Sequence, residues 1–191
     1  MRALVCQTCA TLKRARLGVT SVNAMAADDH KKHAPASLRV FVVTVSDSRT
    51  EATDTSGRAM KELVAAAGHS IAGYKILRDE PAEVAALVRA IRDERSADVV
   101  ITSGGTGVSR RDSTYEAIAA LLDKRLDGFG ELFRMLSYQE IGSAAMLSRA
   151  VGGLAGGLIV FALPGSTGAV KLALEKLVLP ELGHLAFEAR R

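Results

Sequence analysis

Apolar residues along this chain fall into short unbroken runs, separated by stretches in which they recur every three or four positions. Leu38–Val45 (LRVFVVTV) is nearly continuous and rich in β-branched residues, the pattern of a strand buried on both faces. His69–Leu77, Asp98–Thr102 and Leu158–Leu163 are predicted as three further strands. Between them the period turns helical. Met60, Leu63, Val64 and Ala67 form one buried stripe, closed by Gly68; Val84, Leu87, Val88 and Ile91 form another, opened by Pro81 in the first turn. A short helix is predicted over Thr114–Leu122. Gly128-Phe129-Gly130 then punctuates the chain before helices over Glu131–Ile141 and, more briefly, Ser143–Ser148. Val170, Leu174, Leu177 and Val178 mark the last helix, and Pro180 starts a new turn.

Strands alternating with helices predict an α/β fold with a mostly parallel sheet covered on both faces. In that architecture the loops after the strand C-termini share one edge of the sheet, where ligands bind. Ser46–Thr50, Asp79–Glu80, Ser103–Asp112 and Pro164–Thr167 all follow predicted strands, so they should converge on one crevice. Together they bring acids, hydroxyls, glycines and arginines, the inventory of a phosphate and Mg²⁺ site.

The richest of these loops lies in Val99–Glu116 (VVITSGGTGVSRRDSTYE). Gly104, Gly105 and Gly107 allow positive φ and a close approach of ligand to backbone N–H groups, and successive N–H groups in such a turn make an anion-binding concavity. Arg110 and Arg111 offer forked donors for phosphate oxygens, and Asp112 suits a divalent metal between itself and a phosphate. A plain strand-to-helix turn is the competing reading, since glycine turns match many loops and Ser113 with Glu116 has the form of a capping box. Caps need no arginines, so the R-R-D triplet favours a ligand. Neither a P-loop pattern nor G-x-G-x-x-G is present.

Composition narrows the partners. At 191 residues, 48% hydrophobic and 24% charged, the chain has the make-up of one soluble α/β domain. The formal charge of +4 suggests a polyanion partner only until it is located. Arg2, Lys13, Arg14 and Arg16 stand in an N-terminal stretch without an acid, while bases and acids balance from Leu38 onward. With no tryptophan and few aromatics for base stacking, no nucleic-acid partner is expected, and no membrane partner either. Cys6 and Cys9 form a lone C-x-x-C without the further ligands of a zinc site or the strand and helix of a redox motif. A cytoplasmic protein is expected. Residues 1–36 are taken as a basic extension without a packed fold, with Met25 as an alternative start, and residues 37–191 as the domain.

Taken together, S-D-S-R-T-E-x-x-D-T-S-G (Ser46–Gly57), R-D-E (Arg78–Glu80), T-S-G-G-T-G-x-x-x-R-D (Thr102–Asp112), G-F-G-E (Gly128–Glu131), S-R-A (Ser148–Ala150) and P-G-S (Pro164–Ser166) resemble the MoaB/Mog family of molybdenum cofactor biosynthesis. The domain recurs in gephyrin and its plant counterpart, and the resemblance covers about residues 38–187. It implies a three-layer αβα fold assembled as homo-trimers or homo-hexamers. It also implies adenylylation of molybdopterin, in which Mg²⁺-ATP and the pterin phosphate give adenylylated molybdopterin and pyrophosphate.

The family's two chief acids map onto Asp79 and Asp112, as catalytic residues and Mg²⁺ ligands, directly or through water. Its nucleotide and substrate positions map onto Ser46, Asp47, Ser103, Gly104, Gly105, Thr106, Gly107, Arg110 and Arg111. Ser148, Arg149, Pro164, Gly165 and Ser166 match elements associated with the pterin. Read on their own, Asp79 can also be an N-cap, Asp47 can close its own loop, and Arg149 can be a surface or interface charge. Tyr115 stands where members often carry proline. R-R-D resembles the Mog branch, whereas S-D-S-R-T-E, G-F-G-E-L-F-R-M-L-S and P-G-S-T resemble the MoaB branch more closely. Some B-type members bind without catalysing, so a non-catalytic carrier is the alternative. A nucleotide pyrophosphatase of the CinA type is a third reading, against which the chain length argues.

Overall fold

The computed structural model describes Pro35 and residues 37–191; the N-terminal extension, Cys6, Cys9 and Met25 lie outside the described residues. Six strands form one sheet: β1 (Arg39–Val45), β2 (Ser70–Leu77), β3 (Val99–Ser103), β4 (Lys124–Arg125), β5 (Val151–Ala155) and β6 (Leu158–Leu163). Their spatial order is β2-β1-β3-β6-β5-β4. The first four in that order run parallel, and β5 and β4 add an antiparallel edge. Helices α1 (Thr55–Ala66), α2 (Pro81–Glu94), α3 (Thr114–Ala119), α4 (Asp127–Ile141), α5 (Thr167–Ala173) and α6 (Leu179–Ala189) cover the two faces. A 3₁₀ turn spans Gly142–Leu147 and a π-turn spans Leu174–Val178.

The alternation of side chains along each strand divides the core in two. Val40, Val42, Val99, Ile101, Ile159, Phe161 and Leu163 pack against Met60, Phe133, Val170 and Leu182 on one face. Val43, Val45, Val100, Val160 and Ala162 pack against Val84, Val88, Ile91 and Ile118 on the other. Burial on both sides explains why the central strands are almost unbroken apolar runs. The result is a three-layer αβα arrangement, as expected. Among the described residues no helix is long and apolar enough to cross a membrane.

Three readings of the sequence need correction. Gly128-Phe129-Gly130 does not precede a helix but lies inside α4, which starts at Asp127. Phe129 stacks edge-on to Phe161 at 4.9 Å between centroids, and a Cβ on Gly130 would sit 3.0 Å from the Ala150 carbonyl oxygen. Glycine there lets the helix approach the chain closely. The second is β5, Val151–Ala155, to which the apolar pattern assigns no element because Gly152-Gly153 interrupts it. A Cβ on Gly152 would meet the Phe161 ring at 2.5 Å, so the glycine marks a close approach within a strand. Third, α3 stops a turn early, at Ala119. The last helical stretch contains the π-turn. Val170, Leu174, Val178, Leu182 and Ala186 are all buried in steps of four, which overshoot a 3.6-residue turn, and the wider π-turn absorbs the excess.

One buried polar cluster pins the first loop to this frame. Asp54, 1% exposed, caps α1 by accepting from Gly57 N at 2.9 Å; it also accepts from Ser56 Oγ at 2.9 Å and Tyr74 Oη at 2.6 Å. Burial pushes its carboxyl up, but the hydrogen bonds from Tyr74, Gly57 and Ser56 hold it below its ordinary value. Burial and the Asp54 charge push the Tyr74 phenol up.

A carboxylate lowered on folding contributes stability above its unfolded pKa, 3.8 here, and that contribution is lost as pH falls through the lower folded value. Asp54→Asn is therefore expected to cost about 1–3 kcal/mol at neutral pH. Below about pH 4 the wild-type melting temperature should fall more steeply than that of Asp54→Asn. Equal acid slopes in thermal melts of the two proteins would contradict this role.

Candidate active site

The loops following β1, β2, β3 and β6 meet at one rim. Ser46 N donates to Leu77 O at 2.8 Å, and Asp79 N to Asp47 Oδ1 at 3.4 Å, joining the first two. Thr114 Oγ1 donates to Asp79 Oδ1 at 3.3 Å, and Thr114 N to Gly105 O at 2.9 Å, joining the second to the third. Gly104 N donates to Leu163 O at 3.0 Å, joining the third to the fourth. Thr55 and Thr167 share a hydroxyl hydrogen bond of 2.9 Å across the start of α1 and α5.

The glycine turn is built by backbone constraint. Gly104 and Gly105 have φ of 101° and 64°, a region that side-chain-bearing residues rarely occupy. A Cβ on Gly104 would collide with the Val45 carbonyl oxygen, and one on Gly165 would lie 3.2 Å from Gly104 Cα. The turn is thus pressed between the ends of β1 and β6. A Cβ on Gly105 would lie 2.6 Å from Asp79 Oδ1, and one on Gly107 would lie 2.6 Å from Asp112 Oδ2. Both acids therefore flank the same few peptide units.

Asp79 is not a helix cap: the N-cap of α2 is Glu80, which makes no side-chain cap bond. Burial, then the charges of Asp112 and Asp47, push the Asp79 carboxyl above its ordinary value, against the hydrogen bond from Thr114. Asp112 accepts from Ser109 N at 3.0 Å, which holds its carboxylate against the turn. The hydroxyls of Thr102 and Ser103, fully buried at the end of β3, have no hydrogen-bond partner among the described residues.

The arginines divide. Arg110 is exposed, and Arg111 pairs with Asp47 at 2.9 Å and reaches Glu80 at 3.9 Å. Arg149 donates to the carbonyls of Thr106 at 2.8 Å and Gly107 at 2.7 Å and pairs with Glu116. Ser113 and Glu116 form no capping box. Ser113 Oγ donates instead to Arg111 O, while Glu116 is drawn to Arg149, which holds its carboxyl below its ordinary value.

Ser46 Oγ accepts from the N–H groups of Ser48 and Arg49, each at 3.3 Å, and so shapes its own loop. Ser166 caps α5 through Ala169 N at 3.2 Å, following Pro164 and Gly165. Ser148 closes the 3₁₀ turn through its N–H to Ala145 O at 3.0 Å. Thr114 and Glu116 also belong to this network, though nothing local in the sequence marks them: their partners are 35 and 33 residues away.

Known proteins resemble this chain in sequence and in fold. Residues 41–184 match the family model described as "Probable molybdopterin binding domain". The chain is 53% identical over 168 residues to molybdenum cofactor biosynthesis protein B of Bacillus cereus, covering 87% of this chain and 99% of the relative. A crystal structure of a molybdenum cofactor biosynthesis protein B superposes with a TM-score of 0.80 at 54% identity, covering 83% of this chain and 99% of the other. The tungsten cofactor synthesizing protein MoaB from Pyrococcus furiosus gives 0.74 at 41% identity, covering 83% and 100%.

Proposed function

The chain belongs to the molybdopterin-binding family of molybdenum cofactor biosynthesis proteins, and on that premise we propose that it transfers AMP from Mg²⁺-ATP to the phosphate of molybdopterin. The observation that carries the proposal is the meeting of four strand-end loops at one rim, with Asp79 and Asp112 on either side of an open glycine turn.

Adenylyl transfer asks little covalent work of a protein. A pterin phosphate oxygen attacks the α-phosphorus, the bond to the bridging oxygen breaks, and its electron pair leaves with pyrophosphate. In-line positioning and neutralisation of charge supply the acceleration. The Gly105–Val108 amides hold phosphate oxygens, the Ser103 hydroxyl stands at the base of the turn, and exposed Arg110 offers its charge to the leaving group. Ser148, Pro164, Gly165 and Ser166 lie toward the pterin end in this reading.

Mg²⁺ takes one or two protein carboxylates and fills its remaining positions with water and substrate phosphate. Asp79 and Asp112, two acids whose mutual repulsion is felt at Asp79, fit that demand. When bound, Mg²⁺ neutralises charge on the phosphate oxygens. Asp112, held by the Ser109 N–H, and Asp79, held by the Thr114 hydroxyl, would be the residues to hold it, directly or through water.

A carrier that binds both ligands without joining them is the second reading. It is favoured by the engagement of Arg111 and Arg149 with protein groups rather than open space. We further read α4 as the face on which copies pack into a homo-trimer or homo-hexamer. Leu132, Met135, Tyr138 and Ile141 recur along it every third residue, all exposed, with Met146 and Leu147 beyond its end. The site of action is read as cytoplasmic.

Purified protein incubated with molybdopterin and Mg²⁺-ATP is expected to yield adenylylated molybdopterin and pyrophosphate. Asp112→Asn, which keeps an acceptor for Ser109 N–H, should lower the rate at least 100-fold with an unchanged melting temperature. Binding without product supports the carrier, ATP cleavage without pterin supports a pyrophosphatase, and an active Asp112→Asn enzyme overturns the role of that acid. Sedimentation of the same preparation should give a trimer or hexamer; a monomer contradicts the reading of α4.

A further inference from the structure

Arg149 stands behind the glycine turn, and its hydrogen bonds leave little for a ligand. A guanidinium has five N–H donors in a fixed fork. Here Nε meets Thr106 O at 2.8 Å, one terminal nitrogen meets Glu116, and the other meets Gly107 O at 2.7 Å, Asp112 O at 3.4 Å and Glu116 Oε2 at 3.3 Å. Its charge is matched by Glu116, and one face of its plane is covered by Tyr115, 4.8 Å from the ring centroid. This is how a cation is used when it organises backbone.

The consequence follows from peptide geometry. In a planar trans peptide the C=O and the next residue's N–H point in opposite directions. Turning the carbonyls of Thr106, Gly107 and Asp112 toward Arg149 therefore turns the N–H groups of Gly107, Val108 and Ser113 away from it, toward the rim. The N–H groups of Gly107 and Val108 donate to no group among the described residues. Two free donors side by side in a glycine turn make a concavity for a phosphoryl oxygen.

We propose that Arg149 is a positioning residue: it straps the glycine turn from behind so that the Gly107 and Val108 amides face a substrate phosphate, without touching that phosphate itself. The assignment rests on the nucleotide site proposed above. It sets Arg149 apart from the substrate contacts implied by the family resemblance, and it gives Tyr115 and Glu116 a shared purpose in holding the strap.

The test follows amide resonances of isotope-labelled protein as inorganic pyrophosphate and, separately, Mg²⁺-ATP are added. In the native protein the Gly107 and Val108 amides should shift saturably with both. Arg149→Lys keeps the charge and loses the fork, so it should weaken binding at least tenfold, as Arg149→Gln should, with melting temperatures within a few degrees of native. Affinity kept within threefold by Arg149→Lys but lost by Arg149→Gln would show a charge contact and overturn the strap; so would affinity kept by both. If the Arg149 variants do not fold, Glu116→Gln decides. Unmasking the arginine leaves binding equal or weaker if it is a strap, whereas threefold tighter binding overturns the idea. Ligand binding that leaves the two amides unmoved overturns the strap alone. No binding of either phosphate by the native protein overturns the nucleotide site and the strap with it.

Discussion

The site depends on a backbone crowded to the point where only glycine fits. Gly104 lies against the last carbonyl of β1 on one side and Gly165 on the other, with a φ of 101°. That contact locks the β3 loop between the ends of its two sheet neighbours, and the hydrogen bond from Gly104 N to Leu163 O fixes its level. Once the turn is placed, Gly105 comes against Asp79 and Gly107 against Asp112. The position of both acids thus follows from the packing of three strand ends. A parallel sheet supplies such a junction because its strands finish at the same edge.

Rigidity beneath the rim comes from the two-sided core. β1, β3 and β6 are buried on both faces, and their register puts Thr44, Ser103 and Leu163 level with one another. Asp54 then ties the β1 loop down through Gly57, Ser56 and Tyr74, and Thr55 and Thr167 join the starts of α1 and α5. Loops on such a frame can be polar and open without losing position, which suits a reaction governed by alignment.

The sequence made the central strands plain because apolar runs buried on both faces have little else to be. It also exposed the loops at their ends, since strand-helix alternation orders those loops along one edge. The antiparallel edge was hidden for a physical reason: Gly152 and Gly153 are small to admit the Phe161 ring and the neighbouring β4 backbone, and so imitate a turn. At the rim, residue types were legible and their partners were not. Ser113 with Glu116 has the local form of a capping box, yet Glu116 is taken by an arginine 33 residues away. Asp79 resembles a cap in sequence and in space faces Thr114 and the glycine turn. Long-range pairing of this kind leaves no periodicity to read.

The central claim is that Asp79, Asp112 and the glycine turn share one phosphate-binding face. Crystals grown with Mg²⁺ and a non-hydrolysable ATP analogue address it most directly. The expected density has phosphate oxygens on the amides between Gly105 and Val108, with a metal ion between the two carboxylates, directly or through water. Nucleotide seated elsewhere on the protein, with both carboxylates turned away from it, would contradict the account.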